Sequence, residues 1–180
     1  GGSWIDNSTN DRSETLRLAA LAAERGVRTL EAPVTGGVHK AAAGEITVLV
    51  GGDEALYREH ADLLAAIGQP VLYMGALGSA AVIKVITNML AFINLVSVGE
   101  ALMLAKCHGL DLGKSYEAIA NSSGNSFVHE TEGQLILNGS YNINFTMDLA
   151  RKDLHLAHMM GREFGVPLEL ASVTEQISAR

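Results

Sequence analysis

Between Lys84 and Glu100 the chain runs through VITNMLAFINLVSVG, residues 85–99, without a formal charge. A helix lying on a protein surface carries a polar face, so a stretch like this has to be covered on most sides. A bilayer could do the covering, but a span needs about 20 predominantly apolar residues. This run is shorter and holds Thr87, Asn88, Asn94 and Ser97. The expectation is a helix packed within protein on nearly all sides, and no membrane partner. The run sits inside a longer helical signal from about Ser79 to His108, with Gly109 as its stop.

That helix divides the chain. Upstream, Trp4-Ile5 reads as a strand end, and Asn7, Ser8 and Thr9 supply capping oxygens for a helix from about Asn10 to Arg25, stopped by Gly26. Val27–Ala32, Ile46–Val50 and Val71–Met74 are strand candidates, and Asp53 can cap a helix that ends near Gly68. Downstream the signal is helical throughout, near 112–121, 126–137 and 146–164, with Gly165 as a stop and a last helix starting near Pro167. Strands and helices followed by helices alone predict an α/β domain over 1–75 joined to an all-α domain over 76–180. The α/β part begins in the middle of a sheet, and Gly1-Gly2-Ser3 reads as a cloning remnant. The chain is therefore expected to be a truncated piece of a longer protein.

Composition narrows the function. Of the 180 residues 48% are hydrophobic and 18% charged, enough apolar surface for a core. The net charge is -7 and the basic residues are scattered, so no stripe suits a phosphate backbone and no nucleic-acid partner is expected. The single Cys107 cannot form an intramolecular disulfide, which points to a reducing, cytoplasmic compartment. His155 and His158 stand three apart with no third ligand at a recognisable spacing, so no metal is expected.

Three segments carry chemistry. In EAPVTGGVHK, residues 31–40, a strand runs into Thr35-Gly36-Gly37. Paired glycines let backbone N–H groups approach a ligand, and the Thr35 hydroxyl adds a donor suited to a carboxylate; an ordinary tight turn is the plainer reading. In MGALGSAAVIKVITN, residues 74–88, Lys84 lies near the start of the apolar helix, with Asn88 four residues on and so on the same face. A lysine among Ala80, Ala81, Val82, Ile83, Val85 and Ile86 is either desolvated, and so able to trade protons at neutral pH, or snorkels to water. In FTMDLARKDLHLA, residues 145–157, Lys152 and Asp153 adjoin and point about 100° apart, so no ion pair between them is expected. Asp148 and Lys152 are the pair at helical spacing, and a solvated face is the plain reading.

These three segments, in this order and at these spacings, resemble the β-hydroxyacid dehydrogenases, the family of 3-hydroxyisobutyrate dehydrogenase and tartronate semialdehyde reductase, with 6-phosphogluconate dehydrogenase more distant. The resemblance runs from Trp4 to Arg180 and implies the C-terminal part of a Rossmann-type domain followed by a helical domain of the 6-phosphogluconate dehydrogenase type. It implies NAD or NADP as cofactor and a small carboxylate as substrate. Lys84 matches the catalytic lysine and Asn88 the substrate-orienting asparagine; Thr35, Gly36 and Gly37 match the carboxylate-binding loop. Ser8 and Thr9 fall beside the nicotinamide ribose, and Lys152 and Asp153 match a Lys-Asp pair at the cofactor. A homodimer or larger homo-oligomer through the long helix is implied as well. Two departures stand out: Lys40 takes the place of the loop's third glycine, and Ala80 that of a glycine before the lysine. The family's Gly-x-Gly-x-x-Gly fingerprint, which cradles pyrophosphate, does not occur in these 180 residues. By itself the chain is therefore expected to bind cofactor poorly and to be inactive. A non-catalytic helical dimerisation module is the alternative reading; reduction of an imine or semialdehyde is an alternative within the family.

Overall fold

The β-branched run Thr47, Val48 and Val50 builds the central strand of the sheet, which is buried from Val48 through Gly52. In the computed structural model, which describes residues 2–140 and 145–179, this strand is β4 (Thr47–Gly52). On one side it pairs antiparallel with β2 (Arg28–Glu31) and β3 (Val34–Thr35), two halves of one arm broken at Pro33. Proline has no N–H to give, but its carbonyl still accepts from the Leu49 N–H at 2.9 Å, so the arm stays attached across the break. On the other side β5 (Val71–Gly75) runs parallel to β4, and β1 (Ser3–Asp6) runs parallel to β2 at the edge. Leu30, Ala32, Val48, Val50, Leu56 and Leu64 form the core, with Tyr57 and Tyr73 stacked at 5.1 Å against it. Each fully buried aliphatic side chain here contributes about 1.5–3 kcal/mol.

Five helices begin in this first unit: α1 (Arg12–Ala23), α2 (Val38–Ala43), α3 (Glu54–Glu59), α4 (Ala61–Ile67) and α5 (Ser79–Cys107). Three expectations are corrected. The α1 cap is Asp11, whose carboxylate accepts from the Glu14 N–H at 2.9 Å, not Asn7, Ser8 or Thr9. The helix capped by Asp53 is two short ones, because His60 leaves helical geometry at φ -106, ψ 13. Neither β3 nor α2 was anticipated; both are too short to show a period.

The chain separates into two compact units, 1–87 and 88–180, and the boundary falls inside α5. The second unit adds α6 (Leu112–Ala120), α7 (Phe127–Asn138), α8 (Met147–Phe164) and α9 (Glu169–Ser178). His129, fully buried on α7, lies 2.9 Å from the Tyr116 carbonyl and stacks on the Tyr116 ring. Gly161 lets α8 approach the turn before α9: a Cβ there would lie 2.9 Å from the Val166 carbonyl oxygen. The same helices are tied by His158, which contacts Glu175 at 2.9 Å through Nδ1 and Ser172 at 3.1 Å through Nε2.

One expectation about α5 also changes. At 29 residues it is long and apolar enough, by length and composition alone, to cross a membrane. It is not covered on nearly all sides within the chain: only 22% of its most apolar window is buried, and Leu90, Met103 and Leu104 are exposed.

Candidate active site

The first unit positions two loops at one edge of its sheet. Because β1 and β2 are parallel neighbours, Asp6 and Glu31 end side by side, and the Ala32 N–H donates to the Asp6 carbonyl at 2.7 Å. The Asn7 carboxamide then donates to the Ala32 carbonyl at 2.6 Å, fastening the loop that carries Ser8 and Thr9 to the segment that leads toward Thr35. The Ser8 N–H and hydroxyl both donate to the Asp6 carboxylate. In open α/β sheets ligands gather outside the carboxyl ends of the strands, which is where this loop lies. Gly36 and Gly37 have φ of 129 and 86, conformations that any side chain would strain. Their missing Cβ atoms also make room: one on Gly36 would lie 3.1 Å from Lys40 Cδ, and one on Gly37 3.1 Å from His39 Cε1.

Glu31 joins this edge to the helix that carries Lys84. Its carboxylate is 2% exposed and accepts from the backbone N–H groups of Gly78, Ala80 and Ala81 at 2.6, 2.9 and 3.0 Å. These are the donors a helix start leaves unsatisfied, so a residue of β2 caps α5. The carboxylate reaches them across Gly51, where a Cβ would lie 2.1 Å from Glu31 Oε1. Burial pushes the Glu31 carboxyl above the usual glutamate range; the three N–H groups pull it back only in part. Ala80, the departure noted in the sequence, is fully buried with its N–H on Glu31. About one turn further along α5, Lys84 is only 8% exposed, which removes the snorkelling alternative.

In the second unit Asn88, Lys152 and Asp153 form a cluster. Asn88 Nδ2 donates to Asp153 Oδ2 at 2.6 Å, and Lys152 Nζ lies 3.0 Å from Asp153 Oδ1. The expectation that adjacent Lys152 and Asp153 would not pair is thus corrected: the long lysine side chain curls back over the 100° between them. The contact is an ion pair without hydrogen-bond alignment, since Oδ1 has no directional partner among the described residues. Asp153 is 1% exposed, whereas the Lys152 side chain is 44% exposed, so the pair presents an ammonium outward from a buried anchor. Sequence reasoning missed Glu31 and the anchoring role of Asp153. An acid between Leu30 and Ala32 at the end of an apolar strand was the one available signal for the former.

Known proteins resemble this chain. Residues 78–180 match the family model described as the NAD-binding domain of NADP-dependent 3-hydroxyisobutyrate dehydrogenase. Residues 1–75 match the NAD binding domain of 6-phosphogluconate dehydrogenase. The 2-(hydroxymethyl)glutarate dehydrogenase of Eubacterium barkeri is 37% identical over 96% of this chain and 58% of its own length. The mitochondrial 3-hydroxyisobutyrate dehydrogenase of Rattus norvegicus is 34% identical over 98% of this chain and 55% of its own. The structure of Mycobacterium tuberculosis 3-hydroxyisobutyrate dehydrogenase with L-serine superposes with a TM-score of 0.88 at 30% identity, covering 98% of this chain and 63% of that one. The chain thus spans a little over half the length of the curated relatives it matches. A sheet unit followed by a helical unit, a buried lysine near the start of the long helix, and both family matches place this chain in the β-hydroxyacid dehydrogenase family, whose cofactor is NAD or NADP.

Proposed function

We propose that the protein to which this chain belongs catalyses reversible hydride transfer between a small β-hydroxy acid and NAD(P), with Lys84 as general acid and base. The observation that carries this reading is the burial of Lys84 in a family member. An amine withdrawn from water can exchange a proton with substrate without solvent competing for it. The bound cofactor supplies the hydride acceptor at its nicotinamide ring. As the substrate C–H leaves with its electron pair, Lys84 Nζ takes the hydroxyl proton, and it returns the proton in the reductive direction. The Thr35 hydroxyl and the Gly36 and Gly37 N–H groups hold the substrate carboxylate. Asn88 orients the substrate, its amide fixed because the acceptor-only Asp153 carboxylate selects the NH₂ end. Lys152, on its Asp153 anchor, and the residues Ser8 and Thr9 would hold the cofactor when it is bound. With no pyrophosphate fingerprint among them, the 180 residues alone turn over little. In the full-length protein, Lys84→Ala should lower kcat by about 10²-fold or more with the circular dichroism spectrum unchanged. A loss of only a few-fold rejects the role.

The exposed apolar surface of α5 favours a second reading compatible with the first: we propose that α5 pairs with a second copy of the protein to form a homodimer or larger homo-oligomer. Leu90, Met103 and Leu104 on one helix are what a protein partner would cover. The lone, exposed Cys107 supports a reducing, cytoplasmic setting.

A further inference from the structure

We propose that Glu31 is a positioning residue for the reaction: its buried carboxylate fixes the first turn of α5 on the sheet and so sets where Lys84 stands relative to the Thr35–Gly37 loop. This proposal rests on the dehydrogenase reading and adds to it a residue that acts through the lysine.

Three parts of the first unit meet at Glu31. Through its backbone it ends β2 beside Asp6 of β1, where the Ala32 N–H holds the Asp6 carbonyl and Asn7 fastens the loop of Ser8 and Thr9. Thr35, four residues on, is held by its own pairing with Thr47 of β4, so the substrate loop does not hang on the Glu31 side chain. That side chain takes α5 instead: Oε1 accepts from Gly78 and Ala80, and Oε2 from Ala81. All three partners are donors, so only a group that accepts on both atoms satisfies them. The helix has no local substitute, because Gly78, which precedes Ser79, has no side chain with which to cap. Lys84 follows Ala80 by four residues, about 6 Å along the axis. Ala80, Ala81, Lys84 and Val85 are all buried, so the lysine shares the face that Glu31 fastens. Helical side chains lean toward the N-terminus, so a lysine at this position covers the turn before its own. Moving the first turn therefore moves the amine. A misplacement of about 1 Å can cost about 10²-fold in rate, even when its cause lies away from the chemistry.

The test is kinetic, in the full-length protein. Glu31→Gln keeps the volume but sets an NH₂ against a backbone N–H. It should lower kcat by about tenfold and leave the KM for the hydroxy acid within about threefold, because β4 still holds the substrate loop. Glu31→Asp is a methylene shorter but accepts on both oxygens, and it should lose less kcat than Glu31→Gln; a residue that only fills space gives the reverse order. In a Lys84→Ala background, Glu31→Gln should change the residual kcat by less than about twofold, since groups that act as one unit are not additive. Gly51→Ala is the second variant, because its Cβ would lie 2.1 Å from Glu31 Oε1 and displace the carboxylate; it should give the same split between kcat and KM. An unchanged kcat in Glu31→Gln or Gly51→Ala, a loss as large without Lys84 as with it, or the reverse order of Asp and Gln overturns the proposal and leaves the dehydrogenase reading standing. A loss of only a few-fold in Lys84→Ala itself overturns that reading and this proposal together.

Discussion

Two carboxylates that both cap helices respond to protons in opposite directions, because one is buried and the other is not. Asp11, at the start of α1, is held below the usual aspartate range first by the Ser13 hydroxyl and then by backbone N–H groups, against a modest cost of burial. Glu31 caps α5 from inside the protein, and there the cost of burial outweighs its three N–H donors. For Asp11 the folded state binds its proton less tightly than the unfolded chain does. Its stabilisation is present above the unfolded pKa and is lost as pH falls through the folded value. Glu31 binds its proton more tightly when folded, so its contribution is complete below the unfolded pKa and is lost as pH rises through the raised one. The stability gap between wild type and Glu31→Gln, read from urea midpoints across that window, should shrink as pH rises. The gap to Asp11→Asn should grow over the corresponding acidic window. A Glu31 gap that widens with pH would contradict the account. At this scale the sequence was legible where a group acts through its neighbours in the chain: Lys84 is flanked on both sides by apolar residues and is buried accordingly. Glu31 was not legible, because its three donors lie 47 to 50 residues away.

Elements were readable where their ends carry a steric signal. Gly109 and Gly165 stand just after α5 and α8 at φ of 72 and 67, as left-handed stops do, and Asp53 caps through its own side chain. What escaped was set by the partner and not by propensity. β3 is two residues held by β4, α2 is one and a half turns closed by Gly44, and the break at His60 has neither glycine nor proline to announce it. The α5 surface belongs at this scale too. A helix with Leu90, Met103 and Leu104 exposed should lose its partner when one of them becomes an acid. Leu104→Glu should weaken self-association by about tenfold or more in Kd, since a carboxylate in a dry interface is costly to desolvate. Light scattering on wild type and variant checks this, and a wild type that stays monomeric at micromolar concentration rejects the pairing.

For the whole molecule, strand signals in the sequence give way to helical ones, and the family models cover residues 1–75 and 78–180. The compact units part later, at 87, because the first turns of α5 are bound into the sheet unit through Glu31. Periodicity marks where a helix begins; it does not say which neighbour holds its first turns. The candidate residues distribute accordingly: Ser8, Thr9, Thr35, Gly36, Gly37 and Lys84 fall in the first unit, and Asn88, Lys152 and Asp153 in the second. The types and spacings of these residues were legible in the chain. The Lys152–Asp153 pair was not, because helical spacing describes where side chains leave the backbone and not where a long one ends.

Amide protons at the start of a helix usually trade with solvent within moments, since nothing inside the helix holds them. Those of Gly78, Ala80 and Ala81 rest on an acid rooted in a strand, so freeing them requires pulling the helix off the sheet. In deuterium-uptake measurements these three positions should be as slow as the central strand Val48–Val50 and far slower than the opening residues of α6 or α9. Fast labelling there would mean that the strand does not hold the helix in solution.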